Sequence, residues 1–372
     1  MGDESPRGLI LGALSFAWGW DIRRIDDAMD EPHAPSALTL QERERLVMAP
    51  DVTAEPHIAG DYPEWLSPHM QRAFGELASV EGQAMAVRAD VDLRVNTLKV
   101  DVEKAAAPLR SAKAEPSRLL INAFHIPARD PSQREASLDS IPAYSKGWVE
   151  VQDAGSQIAA AAANAQAGEQ VLDYCAGGGG KTLALAAAMG GKGQVFAYDI
   201  DGRRLSAIIP RLKRSGAHNV QLLHPREPEV LEALKAQMDC VFVDAPCTGT
   251  GTWRRRPDTK WRVKPKSLET RIGQQDEVLA SAAQFVKPGG RLLYATCSFL
   301  VEEDEDRVDA FLAKSPGWVQ EDVVQHTAAS GLLTDDGLAT IKAGQGPSGS
   351  VRLTPRTART DGFFFAMLRR QS

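Results

Sequence analysis

Cysteines stand at positions 175, 240, 247 and 297 of this 372-residue sequence, and two of them lie where chemistry can be done. Cys247 closes the apolar run VFVDAPC and Cys297 the run LLYATC, so each falls at the carboxyl end of a predicted strand. In an open α/β sheet these ends are where ligands bind, so two thiols distant in sequence can share one pocket. Cys240 lies inside its strand and reads as a buried structural thiol. A thiolate added to position 6 of a cytosine ring would turn position 5, an unreactive aromatic carbon, into an enamine carbon able to accept a methyl group. Covalent addition of this kind divides one hard step into easier ones. Hydrogen bonding or protonation at ring N3 assists it, a role open to Asp244 holding a proton or to Lys181 as a donor. Once the position 5 proton has left, the second thiol can assist release of the first.

A methyl group needs a donor, and the run LDYCAGGGGKT (172–182) offers a loop for one. Its four glycines precede a predicted helix, where backbone N–H groups approach a ligand closely. A nucleotide-binding P-loop would need glycine where Cys175 stands, and the dinucleotide pattern fails at its third glycine, where Thr182 stands. S-adenosylmethionine remains: its carboxylate suits a helix N-terminus, and its ribose needs an acid at the end of the next strand. Asp199, in AYDID, fills that position.

The elements that must hold these residues follow from periodicity. After Gly168, strand candidates QVLDYCA, GQVFAYDI, NVQLLH, DCVFVDAP and RLLYATCS alternate with helices, the mark of a doubly wound sheet. Leu205, Ile208, Ile209 and Leu212 predict one intervening helix, and Val301, Val308, Phe311 and Leu312 another. KPGG at 287–290 reads as the stop of the helix before the last of these strands, and DGFFFAMLRR as a final strand after a Gly/Ser/Pro-rich loop at 344–350. Upstream, Trp65 to Ala89 predicts a helix and DLRVNTLKV a strand. Pro127 to Ser145 reads as a linker, and residues 1 to about 60 as short proline-punctuated helical runs.

Composition narrows the setting. Hydrophobic content of 43% and charged content of 25% are ordinary for a folded chain of more than one domain. A net charge of −6 argues against a non-specific nucleic-acid coat, which draws its affinity from Lys and Arg. One stretch is nevertheless basic: Arg254, Arg255, Arg256, Lys260, Arg262, Lys264 and Lys266 interleave with Trp253 and Trp261 directly after Cys247. Such a loop suits phosphate and base-stacking contacts with single-stranded RNA. The apolar stretch Gly8 to Trp20 is too short to span a bilayer, and Asp3 and Glu4 precede it where a secretory leader would carry positive charge. Unpaired cysteines fit a reducing cytoplasm. No histidine spacing supports a metal site.

Taken together, YPEWL, DLRVNTLKV, GWVEVQDAGSQ, CAGGGGKT, DAPCTGTG, RRRPDTKW, YATCS and RLTP…DGFFFAML resemble, in order and spacing, the RNA cytosine carbon-5 methyltransferases, from Tyr62 to the C-terminus. That family includes bacterial 16S ribosomal RNA enzymes and eukaryotic nucleolar and tRNA relatives. The resemblance implies an α/β fold: a Rossmann-like class I methyltransferase domain over 146–372, a smaller α+β RNA-recognition-like domain and linker over 61–145, and a helical segment over 1–60. It implies Cys297 as nucleophile and Cys247 as the thiol that promotes product release, an assignment the residues alone leave open. It further implies that Cys175, Ala176, Gly177, Gly178, Gly179, Gly180, Lys181, Asp199 and Asp244 contact S-adenosylmethionine, with Lys181 and Asp244 also near the base. The expected partner is RNA, ribosomal before tRNA, and the expected state a monomer. The target base must leave its stack to enter the site.

Two positions depart from the family pattern. Gly178 stands where the family has proline, which predicts a looser loop. His224 and Pro225 stand where the family places an acid for the adenine amino group. These departures motivate an alternative, an RNA-binding ribosome-assembly factor with weakened cofactor binding. A DNA cytosine methyltransferase, a third reading, has no evident use for the Thr-Cys motif.

Overall fold

The computed structural model describes residues 5–48, 55–128 and 141–372. The first of these segments is helical: Pro6–Gly12, Ile22–Met29 and Leu40–Val47 close on Leu11, Ile25, Leu38 and Leu46. The stretch read as one helix from Trp65 to Ala89 is two, Ser67–Phe74 and Ala78–Ala86, with Gly75 at φ +56° turning the chain between them.

A small antiparallel sheet follows, in the order β2-β3-β1-β4. Its strands are β1 (Val91–Val95), β2 (Glu115–Pro116), β3 (Ala123–Ile126) and β4 (Val149–Val151). Only β1 is foreshadowed by alternation, since the other three run two to four residues and carry too few positions to show a period. The sheet takes β4 from beyond the linker expected to end at Ser145. Of that linker, residues 129–140 lie outside the described residues, and Pro142–Ser145 forms a helical turn.

The large sheet has eight strands: β5 (Gln170–Asp173), β6 (Gln194–Tyr198), β7 (Val220–Leu223), β8 (Met238–Asp244), β9 (Val286–Thr296), β10 (Trp318–Glu321), β11 (Val351–Leu353) and β12 (Phe363–Arg370). Five run parallel in the order β7-β6-β5-β8-β9, and β12 then pairs antiparallel with β9, β10 and β11. The order reverses between β5 and β8, where the chain crosses from one side of β5 to the other and a crevice opens above the strand ends. Helix Ala154–Ala162 packs beside this sheet with all nine residues buried, which its run of alanines permits. Asp153 caps it, accepting from the Gly155 and Ser156 N–H groups at 2.8 and 3.3 Å.

Two local readings are corrected. KPGG does not stop a helix: helix Pro265–Ala283 ends earlier, and 287–290 lies within β9. There Gly289 at φ +72° accompanies an irregular register between Met238 and Cys240, so Pro and Gly mark a bulge inside a strand. The helix expected through Leu205 and Leu212 is broken into Gly202–Ser206 and Ile208–Ser215, leaving Ile209 exposed. Pro210 has no N–H to offer the carbonyl of Ser206, where the first piece ends. Among the described residues no helix is long and apolar enough to cross a membrane.

Candidate active site

The expected site residues gather at the carboxyl ends of β5, β6, β8 and β9, in the segments that follow them. After β5 the chain turns tightly, the Gly179 N–H donating to Ala176 O at 2.8 Å, with Gly177 at φ +52° and Gly179 at φ +79°. A Cβ on Gly179 would lie 2.1 Å from Ile208, so this glycine packs the loop against helix Ile208–Ser215 rather than lining the crevice. Cys175, Ala176, Gly177, Gly178, Gly180, Lys181 and Asp244 border a cavity of about 160 Å³. Asp199, at the end of β6, accepts from the N–H of Gly177 and of Asp201, both at 2.8 Å, which fixes the loop to the neighbouring strand.

Asp173 borders the same cavity. Its Oδ2 accepts from Thr182 Oγ1 at 2.6 Å, while its buried Oδ1 meets no donor among the described residues. Burial pushes its carboxyl from 3.8 up to about 7, the Thr182 bond opposing. The folded chain therefore keeps a proton that the unfolded chain releases above about pH 4, and stability falls as pH rises from about 4 to about 7. Asp173→Asn should flatten that part of the stability profile, measured by denaturant unfolding at stepped pH; an unchanged slope would assign it to other groups.

Lys181 reaches from the first turn of helix Gly180–Ala188 to Asp244 at the end of β8, Nζ to Oδ2 2.7 Å. Burial lowers the lysine's affinity for its proton, but the charge and hydrogen bond of Asp244 outweigh it and the net shift is upward. Lys181 is thus a cationic donor and Asp244 its acceptor. Burial also pushes the Cys175 thiol well above its usual range.

The two strand-end thiols meet. Cys247 Sγ lies 3.4 Å from Cys297 Sγ, and both open onto a cavity of about 710 Å³ shared with Tyr198, Asp199, Arg204 and Asp244. The bond with Cys297, then burial, holds the Cys247 thiol well above the ordinary range, so Cys247 keeps its proton. Cys240, fully buried inside β8, stays away from this cavity as its position in the strand suggested.

Sequence reasoning missed what holds the Cys247 loop. Glu303, wholly buried, accepts from the Thr248 N–H at 2.8 Å, from its hydroxyl, and from Gln275 Nε2 at 3.0 Å. Gln275 Nε2 also donates to Pro246 O at 2.9 Å. Glu303 belongs to the acidic run EEDED, which reads as a solvated face; only its burial distinguishes it.

The basic loop is largely committed to internal contacts. Arg254 donates to the carbonyls of Arg359 and Thr360, and Arg255 to Asp361 and Asp153. Lys260 is buried against Asp61, between Trp253 and Trp261. Trp253 itself is 1% exposed and packs edge-on to Phe299, so it offers no face to a base. Arg256, Trp261, Arg262, Lys264 and Lys266 stay exposed, with Arg262 paired to Asp258. At the end of β7, His224 Nδ1 accepts from the Arg226 N–H at 3.2 Å, which leaves its proton on Nε2. A donor therefore stands where the family pattern has an acceptor. No group of acids, histidines and cysteines suited to a metal occurs among the described residues.

The parallel sheet, its switch point and the glycine loop above it define a class I methyltransferase fold. A solved methyltransferase homolog from Pyrococcus horikoshii superposes with a TM-score of 0.68 at 26% identity, covering 87% of this chain and all of that one (100%). NSun6 from the same organism, solved with SFG, gives a TM-score of 0.69 at 21% identity over 83% of this chain and 98% of its own. Residues 160–369 match the family described as 16S rRNA methyltransferase RsmB/F, and the chain belongs to that family. Ribosomal RNA small subunit methyltransferase B of Klebsiella pneumoniae (strain 342) is 33% identical over 311 residues, 82% of this chain and 65% of the relative. Its counterpart in Vibrio vulnificus (strain YJ016) is 30% identical over 338 residues, 90% and 72%. The chain thus spans about two thirds of the length of the Klebsiella relative.

Proposed function

We propose that this chain methylates carbon 5 of a cytosine in small-subunit ribosomal RNA, with S-adenosylmethionine as donor and Cys297 as nucleophile. The observation that carries the proposal is the pair of thiols 3.4 Å apart, opening onto one cavity with Asp244, which is itself paired to Lys181. The relatives named for ribosomal RNA small-subunit methylation supply the substrate class.

The cofactor loop fits the donor. Gly177 and Gly178 add no side chain to the small cavity, which Arg204 and Arg211 also border, and the unmatched Asp173 Oδ1 offers an acceptor suited to an amino-acid ammonium. Asp199, anchored by two backbone N–H groups, stands at the strand end where a ribose is held. S-adenosylmethionine supplies an activated methyl group there. This chain's residues do the rest. The Cys297 sulfur bonds to C6 while Lys181, kept cationic by Asp244, donates a hydrogen bond toward ring N3. After the methyl group reaches C5, a solvent water takes the C5 proton, the C5–H electron pair closes the C5–C6 double bond, and the C6–S pair leaves on the Cys297 sulfur, which takes a proton from the Cys247 thiol. The raised Cys247 thiol carries its proton at neutral pH, so a proton stands 3.4 Å from the sulfur that departs.

On this reading the residues after β4 form the catalytic domain, those from 61 through β4 (Val149–Val151) a small RNA-recognition domain, and 1–60 a helical segment, the expected boundary at 146 moving past β4 because that strand pairs with β1. The enzyme works as a monomer in a reducing cytoplasm. Calorimetry with S-adenosylmethionine, followed by methyl transfer to 16S ribosomal RNA and bisulfite mapping, tests the proposal; binding and a new 5-methylcytosine are expected. No cofactor binding by the pure protein would sink the enzyme reading in favour of an assembly factor. Transfer only to tRNA, or only to duplex DNA, would replace the substrate.

A further inference from the structure

Gly178 raises a question that the rest of the loop does not answer: what fixes its backbone without the ring of a proline. The fixed point comes from another part of the fold. Arg211, on helix Ile208–Ser215, donates through Nη1 to the carbonyl of Gly178. The guanidinium lies over the loop, so that a Cβ on Gly178 or Gly180 would stand 3.6 or 3.7 Å from its terminal nitrogens. The same group is anchored from behind by Glu150 of β4, whose Oε2 accepts from Nη2 at 3.0 Å and from Nε at 3.3 Å. Glu150 is buried and is gripped a second time by Arg214 through its other oxygen. The chain of contacts therefore runs from the small sheet, through one buried carboxylate and one arginine, to the carbonyl of a cofactor-loop glycine.

We infer that Arg211, held by Glu150, is the positioning residue that fixes the Gly177–Lys181 loop in this chain, doing by a charge-assisted hydrogen bond what a proline ring would do by restricting φ. The physical case rests on three facts. Gly178 is not among the residues with positive φ, its N–H donates to no acceptor among the described residues, and Arg211 is the one side chain bonded to its carbonyl among them. Proline at 178 would cost no backbone hydrogen bond, and glycine there leaves the conformation to be set from outside. Arg211 bonds to neither Cys247, Cys297 nor Lys181, but it borders the small cavity, so lost affinity alone would not distinguish a direct contact with the donor from a loosened loop, whereas loop exchange and its rescue by proline do. Because Glu150 keeps Arg214 when Arg211 is changed, the substitution does not strand a bare buried carboxylate.

The inference builds on the S-adenosylmethionine reading, and its test separates the two. In the free full-length protein, Arg211→Met should speed amide hydrogen exchange at 177–181 without changing exchange in β5 or β6. Titrated by calorimetry with S-adenosylhomocysteine, the variant should bind roughly tenfold more weakly, the size expected for one charge-assisted hydrogen bond, with kcat at saturating donor unchanged. Gly178→Pro added to Arg211→Met should restore slow exchange and most of the affinity, which a merely structural ion pair would not do. Unchanged exchange in Arg211→Met, or faster exchange that Gly178→Pro fails to slow, would overturn the inference. If the wild type binds no S-adenosylhomocysteine, the cofactor reading falls, while the exchange experiment still decides the role of Arg211.

Discussion

Cys297→Ala should abolish methyl transfer and every denaturant-resistant complex with RNA, whereas Cys247→Ala should accumulate one. Removing a covalent nucleophile can cost on the order of a million-fold in kcat, because no other group takes over bond formation. The two sulfurs lie 3.4 Å apart, so geometry alone makes either one a candidate. The resemblance to the family separates them, giving attack to Cys297. Cys247 is held well above the ordinary thiol range, by its bond with Cys297 and by burial, which leaves it a proton to give. The thiolate is the attacking form, and the proton donor is needed only when that sulfur departs. Without Cys247 the adduct forms and methylates but its sulfur leaves unaided, so protein and RNA should migrate together on a denaturing gel. A persistent adduct in Cys297→Ala protein would reverse the assignment and make Cys247 the nucleophile.

The parts of this site legible in the sequence are those whose meaning is local. A glycine run between a strand and a helix, an acid at the next strand end, and cysteines closing apolar runs each declare a backbone position. That position in a doubly wound sheet already implies convergence on the crevice. The illegible parts are set by partners far along the chain. Arg255 and Lys260 read as RNA-binding charges until Asp153, Asp361 and Asp61 are found packed against them. Glu303 reads as solvated surface until it is found under Thr248. Residue type fixes what a side chain can bond to, but only the fold decides which acid meets which base. KPGG failed for a related reason: Pro and Gly mark an interruption, and the same pair serves a helix end or a strand bulge.

Arg255→Met should destabilise the fold by about 3 kcal/mol, the lower end for stripping one partner from a buried ion pair, since the side chain is 29% exposed. Arg255 ties the segment after Cys247 to three other places at once. Its Nε donates to Asp361 Oδ2 at 2.7 Å, its Nη2 to Asp153 Oδ2 at 2.8 Å, and its Nη1 to the Asp90 carbonyl at 2.9 Å, with Asp92 Oδ2 at 3.5 Å. These residues belong to the approach to β12, the cap of helix Ala154–Ala162 and β1 of the small sheet, so one guanidinium joins the two sheets beside the candidate active site. Burial, then the charge of Asp153, pushes Asp92 up to about 8 and Asp361 up to about 7, against Arg255, which lowers both. Raised carboxyls keep protons that the unfolded chain releases from about pH 4 upward, so their contribution to stability falls as pH rises toward about 8. Without the arginine both rise further, and the loss caused by Arg255→Met should widen with pH. Denaturant unfolding of wild type and variant at about pH 5.5 and about pH 8.5 measures this. An equal loss at both values would mean that Arg255 acts by packing alone. Arg255→Lys should recover part of the loss at high pH, because it restores the charge but not the fork that reaches three carboxylates together.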